Sequence, residues 1–187
     1  MAKIGVAVVL ALVAAGGLTT ARAQTEDMTA RSRALAGEFQ DRLRTQLMGA
    51  LNTGGPLLAL DVCQKAAPAI AQDIGGKAGV TIWRTSLKNR NPRGTPDAWE
   101  RATLEQFDAR RAAGEDAATI EASAQTPSGF RYMKAIPMAA PCAQCHGVSV
   151  APDVAAKIAA LYPTDKATGF KPGELRGAVS ITWPAAR

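Results

Sequence analysis

Residues 119–146 read TIEASAQTPSGFRYMKAIPMAAPCAQCH. Two strand-like runs, near Thr119–Gln125 and Phe130–Met138, flank the turn residues Thr126-Pro127-Ser128-Gly129, so the stretch predicts a β-hairpin. The second strand leads directly into Cys142, Cys145 and His146, which have the C-x-x-C-H spacing of covalent haem attachment. In that chemistry two thioethers hold the porphyrin edge and the adjacent imidazole reaches the iron. The motif therefore hangs from a strand end, and a sheet has to carry it.

Working outward, Thr25–Asn52 places Leu35, Phe39, Leu43, Leu47 and Leu51 at four-residue spacing, one face of a long amphipathic helix that ends at Gly54-Gly55-Pro56. Leu57–Ile74 predicts a second helical stretch carrying Cys63, kinked or split by Pro68 and closed by Gly75-Gly76. Val80–Leu87, VTIWRTSL, has the β-branched and aromatic content of a strand. Thr95 offers an N-cap, with Pro96 at the first helical position and Asp97 in the first turn of a helix through Trp99, Leu104 and Phe107. Asp153–Leu161 predicts a short helix stopped by Pro163, and Gly177–Trp183 a last strand with Val179 and Ile181 on one face. Helices first, then antiparallel strands with helices between them, predict an α+β fold around one mixed or antiparallel sheet.

The first 23 of the 187 residues carry Lys3, an apolar run from Ile4 to Leu18, and Ala21-Arg22-Ala23 as a small-x-small cleavage site. They read as a signal peptide (1–23), cleaved after Ala23, which places the mature chain in the periplasm or outside the cell with no stable membrane insertion. Residues 24–187 are then expected to form a single domain. Export excludes nucleic acid as the partner of the net charge of +6, whose densest cluster is Lys88–Arg93. That cluster reads as a solvated loop or as the site of an anionic partner such as haem propionates, for which Arg84, Lys88 and Arg90 are the candidates. Three cysteines in an oxidising compartment cannot all pair within one chain. If Cys142 and Cys145 become thioethers, Cys63 is left over.

Three separated stretches carry a resemblance: RTSLKNRNPRGTPDAWE (84–100), AIPMAAPCAQCHG (135–147) and YPTDKATGFKPGELRGAVSI (162–181), with the Cys63 helix upstream. Together they resemble an exported c-type haem family of PAS-like fold, part of it long catalogued as a domain of unknown function and with similar domains in front of bacterial sensor kinases. The resemblance spans essentially the whole mature chain. It implies a PAS-like antiparallel sheet with an N-terminal helical pair and flanking helices. It also implies one haem c, attached at Cys142 and Cys145, with His146 and Cys63 as axial ligands. Gly94 stands where an asparagine is expected and Ala143 where a leucine is common; neither departure removes a ligand.

Elimination narrows the sixth ligand independently. With one histidine, bis-histidine coordination within a chain is impossible. Methionine, cysteine thiolate and tyrosine remain. Met133, Met138 and Met48 read first as core residues, because methionine fills irregular gaps; Tyr132 and Tyr162 are weaker candidates. A lone thiol is a liability in an oxidising compartment unless something protects it, which favours Cys63. A Cys142–Cys145 redox disulfide does not need the following histidine. A Cys₃His zinc set would strain the adjacent Cys145 and His146.

A closed His/Cys iron would pass electrons or respond to redox state at low potential, because the anionic thiolate favours ferric iron. The expected function is low-potential electron transfer or redox sensing, with the redox partner open and a homodimer through the first helix left open. The alternative is a gas sensor in which NO or CO displaces Cys63. A peroxidase-type enzyme ranks last, since no second histidine supplies a distal base. Trp83 and Trp99 read as packing residues, Asp165 as a turn cap, and Pro137, Pro163, Gly169, Gly173 and Gly177 as turn chemistry on the approach to the motif.

Overall fold

The computed structural model describes residues 7–185, with side chains from residue 22 onward. Lys3 and the start of the expected leader lie outside the described residues. The first helix, α1 (Ala7–Asp61), is long and breaks once, at Gly55, whose φ of 64° and ψ of −163° leave the helical region just before Pro56. Both residues belong there: glycine reaches positive φ without strain and proline cannot continue the preceding turns. Among the described residues no helix is long and apolar enough to cross a membrane.

A single π-turn, Val62–Ala66, joins α1 to α2 (Ala67–Ala78). Its cause is Pro68, which has no N–H to give to Gln64 and whose ring would strike that carbonyl in a regular helix. The backbone widens instead, and Ala67 N–H reaches back five residues to Val62 O. The sequence reading closes the second helix at Gly75-Gly76; instead α2 runs past them to a left-handed cap at Gly79 (φ 71°). Gly75 serves close approach instead: a Cβ there would lie 2.6 Å from Val80 O.

The four strands β1 (Thr81–Thr85), β2 (Glu121–Thr126), β3 (Gly129–Pro137) and β4 (Leu175–Pro184) form an antiparallel sheet in the order β1-β4-β3-β2. The architecture is α+β and PAS-like. Helix α3 (Ala98–Ala112) starts about two residues later than expected, because Asp97 rather than Thr95 is its N-cap. Asp97 accepts from Glu100 N at 2.9 Å while Glu100 Oε2 accepts from Asp97 N at 3.1 Å, a reciprocal capping box.

Two cores hold the sheet. On one face Phe39 of α1 and Ile70 and Ile74 of α2 pack on Ile82, Phe130, Tyr132, Val179, Ile181 and Trp183. On the other, Leu104 and Phe107 of α3 pack on Ile120, Met133, Ala135 and Ala178. Phe39, Phe107 and Phe130 are each 1% exposed or less, and each such burial contributes about 1.5–3 kcal/mol. Met133, fully enclosed here, is a core residue.

The third layer is the segment after β3: a 3₁₀ turn at Ala140–Cys142, the single-turn helix α4 (Ala143–His146) and helix α5 (Pro152–Leu161). α5 rests on the end of α1 through Leu60, Val154 and Ile158, with Cys145 at the edge of that cluster. The register between β3 and β4 shifts at Ile136/Pro137: Ile136 faces Gly177 and Pro137 faces Leu175. Arg176 is the extra residue of this bulge. Pro137 cannot donate to the ladder, so the irregularity falls where the bond would be missing anyway.

Candidate functional site

Cys142, Cys145 and His146 lie half-buried on the short turns beyond β3. A parallel segment, residues 165–170, clamps them by backbone bonds. Phe170 N donates to His146 O at 3.0 Å and Gly169 N to Gly147 O at 2.9 Å. The imidazole is held by the same segment, with His146 Nδ1 at 2.7 Å from Ala167 O. A carbonyl only accepts, so Nδ1 carries the proton and Nε2 is left free. Arg176 Nε also points at Nδ1, at 3.1 Å; both groups would have to donate, so the shorter carbonyl bond decides the tautomer. Burial, then the charges of Arg176 and Arg90, hold the His146 pKa well below its ordinary value. A neutral imidazole with a bonded Nδ1–H and a free Nε2 has the form of a metal ligand.

The π-turn brings Cys63 to this place from far upstream. Leu60, one turn before it, shares a cluster with Cys145. Burial raises the Cys145 thiol pKa, and the neighbouring Cys63 and Cys142 raise it further against the opposing pull of Arg90. Cys63 also bears on the titration of Tyr162 and Arg176. All three cysteines are free thiols, and Cys63 is half-buried. A π-turn within a helix is rare and concentrates at functional positions. Among the described residues no three His, Cys, Asp or Glu side chains gather as a metal cluster. Ligands on two faces of a flat ring, with attachment at its edge, need no such gathering.

The basic candidates separate. Arg90 is buried, 6% exposed, and tied down: Nε donates to Asp165 Oδ1 at 3.0 Å and Nη2 to Cys145 O at 2.6 Å. Its third nitrogen, Nη1, is buried without a partner. Arg84 and Lys88 are exposed; Lys88 Nζ lies 4.6 Å from the Phe170 ring centroid. The sequence did not mark Arg176, which stands one residue before the strand expected from Gly177 and which the structure takes into β4. Its guanidinium donates to Ser86 Oγ at 3.3 Å and Lys88 O at 3.2 Å. Burial first, then Arg84 and Arg90, push its pKa down to about 9. An arginine resists deprotonation, so this pressure describes a cluster of cations short of negative charge. Asp165 is the carboxylate that faces it.

The remaining sequence candidates are placed elsewhere. Tyr132 donates to Glu121 Oε2 at 2.8 Å on the far part of the sheet. Met138 packs with Ala167 and Phe170 beside Cys142. Trp83 Nε1 donates to Glu100 at 2.8 Å, and Trp99 lies under Arg131, so both belong to the α3 face. Beside α5 a cleft of about 230 Å³ is lined by Val150, Ile158, Tyr162 and Asp165, among others.

A protein-family model, Tll0287-like (Tll0287), matches residues 16–184. Among solved structures, the crystal structure of the cyanobacterial heme-protein Tll0287 is similar. It superposes with a TM-score of 0.64 at 27% identity, over 88% of this chain and 96% of that one. No curated protein matches.

Proposed function

The chain belongs to the Tll0287-like family, and from that premise we propose that it is an exported monohaem c-type protein of low-potential electron transfer or redox sensing. The observation that carries the reading is the setting of His146, whose Nδ1 lies 2.7 Å from the Ala167 carbonyl oxygen. The Ala167 carbonyl holds Nδ1–H and leaves Nε2 free, on the same turns as Cys142 and Cys145 and beside the π-turn of Cys63. Haem bound there supplies one-electron chemistry at iron.

The residues present fit that group. Cys142 and Cys145 would carry the thioethers, and His146 and Cys63 would be the axial pair. The partnerless Arg90 Nη1, the exposed Arg84 and Lys88, and Arg176 surround the site with more positive than negative charge. Two propionate carboxylates answer that excess. A thiolate at Cys63 favours the oxidised state and lowers the potential. Export with cleavage after Ala23 shortens α1 at its start and leaves Phe39 and its sheet contacts intact; the mass of the mature chain reads the cleavage site.

The test is the ferric absorption and EPR spectrum of protein made with a c-type maturation system, wild type beside Cys63→Ala. A low-spin thiolate signal in the wild type, lost in the variant, is expected. A high-spin spectrum unchanged by the substitution overturns the axial assignment, and a CO-altered spectrum of the wild type after reduction to the ferrous state with dithionite moves the reading to gas binding. A wild type that gives no haemochrome overturns the haem reading itself.

A further inference from the structure

Arg90 and Asp165 stand seventy-five positions apart in the chain and meet as a buried ion pair, 6% and 10% exposed at their side chains. Both Asp165 oxygens and two of the three Arg90 nitrogens, Nε and Nη2, are engaged. Asp165 Oδ1 accepts from Arg90 Nε at 3.0 Å and from Ala167 N at 3.0 Å. Arg90 Nη2 donates to Cys145 O at 2.6 Å and to Ala167 O at 3.3 Å. Lys166 N closes the frame by donating to Asn89 O at 3.1 Å. The carbonyl that holds His146 Nδ1–H is thus fixed on both sides: its own N–H is bound to Asp165, and its oxygen is shared between imidazole and guanidinium.

Sharing has an electronic consequence as well as a steric one. A carbonyl that already accepts from a cation pulls less strongly on Nδ1–H, so the imidazole donates less through Nε2. Asp165 opposes this by neutralising the guanidinium. A buried charge pair also holds geometry only while both members are present, since either one alone is left uncompensated.

We propose that Arg90 and Asp165 are positioning residues for His146, a polar lock that sets the imidazole's orientation and donor strength through the Ala167 carbonyl. Two of the three Arg90 nitrogens serve this lock, and Nη1 is left for an anion. The inference rests on the haem reading above, and its test separates the two.

The experiment is potentiometry and ferric EPR of the mature, haem-loaded protein for wild type, Arg90→Gln, Arg90→Lys and Asp165→Asn, with far-UV circular dichroism and a haemochrome assay on each. Arg90→Gln removes the cation from the Ala167 carbonyl and should shift the potential downward. Asp165→Asn leaves the guanidinium unneutralised and should shift it upward, while keeping an oxygen acceptor for Ala167 N. Arg90→Lys keeps charge but cannot span Cys145 O, Ala167 O and Asp165 together, so its EPR g-values should spread while its potential moves less than that of Arg90→Gln. A purely structural role would move both potentials the same way or neither. Either result, with folded and loaded variants, overturns the lock. If Arg90→Gln fails to mature, the sign of the Asp165→Asn shift decides alone. A wild type without covalent haem instead overturns the function proposed above and removes the basis of this one.

Discussion

Ser32→Ala removes a hydroxyl whose oxygen accepts from Trp183 Nε1 at 2.8 Å across 151 positions of chain. Ser32 is 0% exposed and Trp183 8%, so water cannot replace the lost acceptor. An indole N–H left buried and unpaired costs about 1–3 kcal/mol. Trp183→Phe removes the donor instead and adds the loss of ring area packed against α1. Combining the two substitutions leaves no orphaned donor. The double variant should therefore be less destabilised than the sum of the singles by about 1–2 kcal/mol, within the range found for contacting pairs. In a chain of this length that coupling corresponds to roughly 2–8 °C in Tm. Urea unfolding followed by far-UV circular dichroism is the assay, because Trp183→Phe changes the fluorescence. The slope against urea should be common to all four proteins, so that midpoints report stability. Additivity within about 0.5 kcal/mol would refute the idea that this bond fixes α1 to β4.

Glu121 accepts from Arg33 Nε at 2.9 Å and from Tyr132 Oη at 2.8 Å, and these bonds hold its carboxyl below the ordinary 4.5 despite burial. A depressed pKa contributes stability above the ordinary value that is lost as pH falls through the folded one, so Glu121→Gln should flatten the acid limb of stability below about pH 4.5. Denaturant midpoints between pH 3 and 7 check this; an unchanged limb refutes it. Gly75→Ala puts a Cβ 2.6 Å from the Val80 carbonyl and should lower the melting temperature. Gly76→Ala meets nothing within 4 Å and should raise stability by about 0.5–1 kcal/mol, and equal effects at the two glycines would refute the close-approach reading. Asp97→Ala, which removes the α3 cap and the Arg131 ion pair at 2.8 Å, should cost about 1 kcal/mol or more by the same measurement.

Local chemistry was legible in the sequence wherever neighbours in the chain decide it. The four-residue spacing from Leu35 to Leu51 marked the long helix. The Thr126–Gly129 turn marked the β2–β3 hairpin, and the strand run at 80–87 contained β1. Where two local signals competed, the tertiary fold chose. Thr95 reads as the cap of α3, but Asp97 takes that place because Glu100 answers it. Gly75-Gly76 carries a stop signal, but the helix runs on to its left-handed cap at Gly79, and Gly75 instead admits the Val80 carbonyl.

What the sequence by itself determined about the candidate site was its chemistry: one histidine inside C-x-x-C-H, one leftover cysteine, and a basic run from Lys88 to Arg93. What only the tertiary structure decided was which groups face each other. Arg90 read as a solvated cation or a propionate contact until its partner Asp165 appeared from far along the chain. Arg176, just ahead of the strand expected from Gly177, went unmarked until Pro137, by withholding a donor, placed it in a bulge beside His146. Cys63 stands near enough to bear on the Cys145 thiol, on the π-turn that Pro68 imposes on the helix. The last two depend on a backbone bond that is missing or redirected. Its effect on side-chain direction is set by packing between distant segments, which spacing along the chain does not encode.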